Sequence, residues 1–257
     1  MGTTAAGKEI HEYAVVPLAR QSGESDEAAL QRILSEQAQL GWQVVDSCGD
    51  EVRRPVLIFR KLAGGARPTL YTVERVPHIK GQDDIADVRE RLWKKKEEGW
   101  IPACVLDSPV TPPVAVFRKA ESSTEGLLLK VSEVSPTILE KIEEAIVYEL
   151  LDQQVRDNLT AECIMHGGVN PVLILLTKDT EQPFEYLVEH AKGGLFKNQT
   201  SKLTALITAR AAEGWQVCGA FEDSFFWPCV VFRRPAVEMP VTPREVAEQV
   251  NQPEGKA

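Results

Sequence analysis

An α+β architecture of four tandem βαββ repeats is predicted by three features of the 257-residue sequence, all sharing one period. A closing apolar run recurs as PVLIFRK from Pro55, PVAVFRK from Pro113, PVLILLTK from Pro171 and PCVVFRR from Pro228, in steps of 58, 58 and 57 residues. A Gly-Trp pair recurs at Gly41-Trp42, Gly99-Trp100 and Gly214-Trp215 and is missing from the third copy. An opening β-branched and aromatic run recurs as EYAVVPL around Tyr13, LYTVERV around Tyr71, LLLKVSEV around Leu129 and FEYLVEH around Tyr186. The repeats are assigned to residues 10–63, 69–120, 126–179 (a degenerate copy) and 183–236, followed by a flexible tail over 237–257. The connecting segments LAGGARPT, KAESSTEG and KDTEQP are short, polar and rich in turn residues.

Each opening strand leads into a helix. In the first copy the helix begins near Ser25-Asp26 and sets Leu30, Ile33, Leu34 and Ala38 on one face; in the second it begins at Asp83-Asp84 and uses Ile85, Val88, Leu92 and Trp93. Acidic residues at these starts suit the positive end of the helix dipole. The third helix is the longest, from Ser135-Pro136 to about Val155, with Pro136 placed for a first turn and Ile138, Ile142, Ile146, Leu150 and Leu151 in phase. The fourth runs from about Thr200 to Ala212 with Leu203, Leu206, Ile207 and Ala211 inward. Gly41, Gly99 and Gly214 end three of the four helices, as residues free to take a left-handed conformation.

Two strands close each unit, and the last is the most continuously apolar, the mark of a strand buried on both faces. That places it in the centre, giving strand order 2-3-1 with antiparallel neighbours and helices on one face of the sheet. A three-stranded sheet with one helix leaves open edges, so the repeats are expected to associate. The expected mode is edge-to-edge pairing into six-stranded sheets, two halves related by a pseudo-twofold and packed through the face opposite the helices, which Leu57 and Phe59 or Val56 and Ile58 make apolar.

Composition narrows the function. A formal charge of −9, from 38 acidic and 29 basic residues, disfavours nucleic acid and anionic membrane as partners. The first residues carry no apolar signal core, no later run approaches the length of a membrane span, and Ala6 breaks a myristoylation motif at Gly2. Five cysteines, an odd number, fit a reducing compartment, and the chain is expected to be cytoplasmic.

The candidate chemistry is sparse, and no cofactor or metal is expected. Trp42, Trp100 and Trp215 read as locks between helix and sheet in preference to a ligand cage. Arg60, Arg118 and Arg233 open the basic ends of the closing strands; they form an anion rim if those ends align, and solvated ends otherwise. Cys48, Cys104, Cys163 and Cys218 fall on second strands and read as buried small hydrophobes, with Cys218 and Cys229 as a possible cross-hairpin pair. His78 with Lys80, and His190 with Lys192, repeat a His-x-Lys-Gly context after the opening strands of copies two and four and are candidate ligand-binding residues. The stretch GGLFKNQTSK lacks phosphate-loop spacing, and the acidic pairs lie on helices as solvated faces.

The E-Y-x-V opening at Tyr13, the Gly41-Trp42-Gln43-Val44 turn and the Phe59-Arg60-Lys61 close, with their counterparts at Tyr71, Gly99-Trp100 and Phe117-Arg118-Lys119 and at Tyr186, Gly214-Trp215 and Phe232-Arg233-Arg234, resemble a family of short prokaryotic proteins known as a domain of unknown function. The resemblance covers most of the chain, fails in copy three, and implies the βαββ fold without an activity. The leading functional expectation is a non-enzymatic interaction or scaffold module with a protein partner or self-association. The alternatives are a small-molecule sensor, an anion among its candidate ligands, with a pocket between repeat pairs, and a cofactor-free enzyme using the His-Lys loops.

Overall fold

The computed structural model describes residues 11–49, 55–62, 68–77, 82–106, 112–134, 141–167, 170–177, 182–191, 199–222 and 227–236. Repeat 1 contributes β1 (Tyr13–Pro17), α1 (Asp26–Gln39), β2 (Trp42–Cys48) and β3 (Val56–Lys61). Repeat 2 follows with β4 (Tyr71–Arg75), α2 (Gln82–Glu97), β5 (Trp100–Leu106) and β6 (Val114–Lys119). Repeat 3 is β7 (Leu129–Glu133), α3 (Ile142–Asp157), β8 (Leu159–Gly167) and β9 (Asn170–Thr177), and repeat 4 is β10 (Phe184–His190), α4 (Gln199–Ala212), β11 (Gln216–Glu222) and β12 (Pro228–Pro235). Every repeat is a three-stranded antiparallel sheet with its third strand in the centre, the order predicted from apolarity.

The helix ends follow local chemistry. Ser25 caps α1, its hydroxyl accepting the Ala28 N–H at 3.3 Å. Gly41, Gly99 and Gly214 all take φ near +80 to +90°, and in repeat 3 Asn158 takes the left-handed position at φ 55°. The helix of repeat 3 starts later than predicted: Lys141 is its extended N-cap, and the expected start over 135–140 lies outside the described residues. Trp93 departs from its predicted inward position. It is 41% exposed, its indole N–H donates to Glu97, and Lys96 lies over its ring.

Association of the repeats differs from the expected pairs. The four sheets stay separate, so no six-stranded sheet forms. Instead β2 packs against β5 and β11, and β8 against the same two strands, closing a circuit of second strands around one axis. Each helix packs on its own sheet and on the opening strand of the next repeat: α1 on β4, α2 on β7, α3 on β10 and α4 on β1. The last contact closes the ring. The expected twofold survives as the relation between opposite repeats of a quasi-fourfold ring.

This geometry explains the two-faced apolarity of the central strands. Leu57 and Phe59 of β3 face α1 in one core, while Ile58 and Val56 enter the core around α4 and repeat 4. In the same way β9 divides Leu173 and Leu175 from Val172 and Ile174 between the α3 and α2 cores. The face opposite each helix is covered by the preceding repeat's helix, where sheet-on-sheet packing was expected. Phe59, Phe117 and Phe232, each in a different core, are fully buried. Polar clamps cross these seams: Arg75 to Glu27 at 2.5 Å, and Gln154 to both the N–H and C=O of Phe184.

Candidate functional site

The F-[RK]-[RK] close resolves into three roles set by the period-two alternation of a strand. The Phe enters the core. The final basic residue lies over the Trp that follows the helix-ending glycine, with Lys61 4.6 Å from the Trp42 ring, Lys119 4.9 Å from Trp100 and Arg234 4.3 Å from Trp215. Lys61 and Lys119 also donate to the last carbonyls of α1 and the turn after α2, at Leu40 and Glu98. The three Trp therefore join cores and cation contacts, as helix-to-sheet locks should.

The middle residue points the other way, toward the axis. Arg60, Arg118 and Arg233 line one cavity of about 70 Å³ together with Glu162, Gln43 and Cys218. Arg118 donates to Glu162 at 2.8 Å and Arg60 to Gln43 at 3.2 Å, while the Nε of Arg233 is buried without a hydrogen-bond partner. Burial first, and the neighbouring Arg233 and Arg118 charges after it, push the Arg60 guanidinium below its ordinary pKa against the opposing pull of Tyr13 and Glu162. Three guanidinium groups and one carboxylate leave two positive charges in excess on the cavity wall. The fourth register position is Leu176, opposite Leu129 and Thr160.

Tyrosines from the opening strands ring the same region. The Tyr71 hydroxyl accepts the Val44 N–H of the preceding repeat at 2.9 Å, and Tyr13 accepts the Val217 N–H at 3.0 Å. Val44, Pro102, Ala161 and Val217 are equivalent, each standing just before a β-bulge. Pro102 has no N–H to offer, and the residue that would receive it is Leu129 in place of a tyrosine. Tyr186, the remaining member, is 8% exposed and its hydroxyl has no partner. Burial raises its pKa, with a smaller push up from Cys218 and an opposing pull from Arg233, both on the cavity wall.

Below this layer the ring is held by Asp46. It is fully buried, its Oδ2 accepting the N–H of Ile164 in repeat 3 at 3.0 Å and of Ala220 in repeat 4 at 2.8 Å, and its Oδ1 that of Ser47. Its equivalents after the other bulges are Cys104, Cys163 and Gly219. Gly219 is fixed by sterics, since a Cβ there would lie 2.6 Å from Ile164 Cδ1.

Of the remaining sequence candidates, His78, Lys80 and Lys192 lie outside the described residues. His190 ends β10, where its Nε2 meets the Glu143 carboxylate and its Nδ1 lies 3.4 Å from Cys229 Sγ. All five cysteines are buried and none is in a disulfide; Cys218 sits at the bulge and its thiol donates to the Val231 carbonyl, while Cys229 pairs in register with Phe221, so the two do not face each other. The axial cavity is shared by all four repeats. Sequence reasoning missed Asp46, Glu162 and the Tyr186 hydroxyl; aligning the repeats at the bulge would have exposed Asp46 as a lone acid in a column of Cys and Gly.

Among the described residues no helix is long and apolar enough to cross a membrane. Compared with known families, curated proteins and solved structures, the chain finds no match in any of the three.

Proposed function

We propose that the protein binds a small oxyanion, phosphate or a compact carboxylate, on the axis of the ring. The observation that carries this reading is the convergence of Arg60, Arg118 and Arg233 on one cavity with a buried donor, Arg233 Nε, left unpartnered. A buried donor without an acceptor costs about 1–3 kcal/mol, and an anion removes that cost while relieving the repulsion among the guanidiniums. A volume of about 70 Å³ admits a small oxyanion and is well below the range of drug-sized ligands. The convergent polar groups lie inside the ring, which favours ligand binding over an interaction module. Fusion of four single-unit proteins of the resembled family around one axis accounts for the repeated Arg.

Thermal unfolding of the full chain in phosphate or sulfate, against chloride at matched ionic strength, tests the reading. At saturation near a hundredfold over Kd, about 2.7 kcal/mol of linkage is expected, or roughly 5–10 °C in Tm. Arg60→Ala should abolish most of that shift while leaving the anion-free protein at least as stable. Leu176→Arg, restoring the fourth position, should tighten binding. Absence of a saturable shift, or a shift in Arg60→Ala and Arg233→Ala as large as in the unaltered protein, overturns the reading.

A further inference from the structure

An acid on the wall of an anion cavity opposes the charge of the ligand, and Glu162 is the single acid among the residues that line this one. Its place in the chain is particular. Each second strand carries one bulged residue that the register skips: Val45 on β2, Ala103 on β5, Glu162 on β8 and Cys218 on β11. All four line the cavity. A bulge re-aims its side chain; three repeats use that freedom for an apolar or small side chain, and repeat 3 uses it for a carboxylate.

The carboxylate is only half engaged. Its Oε2 accepts from Arg118 Nη2 at 2.8 Å, while among the described residues Oε1 accepts no hydrogen bond. Arg118 and Glu162 keep 22% and 20% of their side chains exposed, so solvent reaches this side of the cavity and a ligand can enter there. The other polar groups on the wall are donors. Arg60 gives one bond to Gln43 Oε1, which leaves the amide hydrogens of Gln43 to donate, and Arg233 Nε has no partner. An anion confined to about 70 Å³ meets these donors and Glu162 together. The donors take any oxyanion. A carboxylate only accepts, so the ligand oxygen that faces it must carry a hydrogen, or two bare negative charges stand in contact.

We infer that Glu162 determines which anion binds: the axial site takes inorganic phosphate in a form that keeps a protonated oxygen, whose hydroxyl donates to Glu162 Oε1. Sulfate and simple carboxylates, which at neutral pH offer acceptors alone, are rejected by the same oxygen. The inference rests on the axial anion reading and narrows it. A Glu162 that merely balanced charge would weaken both anions alike and create no preference between them.

Calorimetric titration of the full chain with sodium phosphate and with sodium sulfate tests it, at about pH 8, where phosphate is chiefly a dianion like sulfate yet retains its hydroxyl. A buried site that hydrogen-bonds a ligand hydrogen rejects the analogue lacking it by about 10⁴-fold; with Glu162 partly solvated, a preference of about a hundredfold for phosphate is expected. Glu162→Gln keeps the shape but can face the ligand with either its carbonyl or its amide hydrogens, so sulfate should gain and the preference should fall to within about threefold. Similar affinities for the two anions in the unaltered protein overturn the inference and leave the axial anion reading standing. A preference that persists in Glu162→Gln also overturns it, because selectivity then lies elsewhere on the wall. Binding of neither anion removes both. The comparison within the unaltered protein decides the matter even if the variant fails to fold.

Discussion

Repeat 3 and its three siblings share a fold but not the same side chains at the ring axis. Repeats 1, 2 and 4 each supply an opening tyrosine and an inward arginine, whereas repeat 3 has Leu129 and Leu176 at those positions. It supplies instead Glu162, which pairs with Arg118, and the Ile164 N–H that Asp46 of the opposite repeat receives. The difference teaches that quasi-symmetry is kept where packing demands it and abandoned where charge must be balanced. Four inward arginines with no acid would concentrate positive charge in a small cavity; one apolar position and one acid reduce it.

The strongest way to break this arrangement is Asp46→Ala. It strips the acceptor from buried amides of repeats 3 and 4 and should cost about 3–5 kcal/mol, read from chemical denaturation. Gly219→Ala comes next: the new methyl meets Ile164 at under 3 Å, and a loss of about 2 kcal/mol is expected in the same measurement. A matching Ile164→Val change should recover part of it if the contact is the cause.

The tyrosines sharpen the comparison at smaller magnitude. Tyr71→Phe leaves the Val44 N–H without its acceptor and should cost about 1–2 kcal/mol, whereas Tyr186→Phe removes an unpartnered hydroxyl and should be neutral or slightly stabilising. The Tyr71 contribution also has a pH signature. Burial raises its pKa from 10.0 to about 12, so the folded state holds a proton the unfolded chain releases. That stability is complete below pH 10 and is lost as pH rises toward 12; Tyr71→Phe should flatten this part of the stability–pH curve. The smallest effect is expected for Asn158→Gly, at about half a kcal/mol of gain, because Asn158 occupies the left-handed position that glycine fills in the siblings.

Much of the fold was legible because local rules and global packing agree. The 58-residue spacing, the glycines at Gly41, Gly99 and Gly214 and the apolar closing strands sufficed for four βαββ units with a central third strand. Arg60, Arg118 and Arg233 were legible as a repeated feature, but their convergence was not. Whether three strand ends meet depends on how sheets pack, and period-two alternation gives the face of a strand without naming its neighbour. Trp93 misled because helical phase places it on the border of the apolar stripe, where a Lys96 contact and a bond to Glu97 keep it outside.

By itself, then, the sequence determined the unit: its elements, their order, and the fact that both faces of each closing strand must be buried. The tertiary structure alone decided what buries them. An apolar face records a demand for contact without direction, and only closure of the ring, fixed by the α4–β1 contact, by Asp46 and by the absent side chain at Gly219, turns that demand into an axis lined with charge.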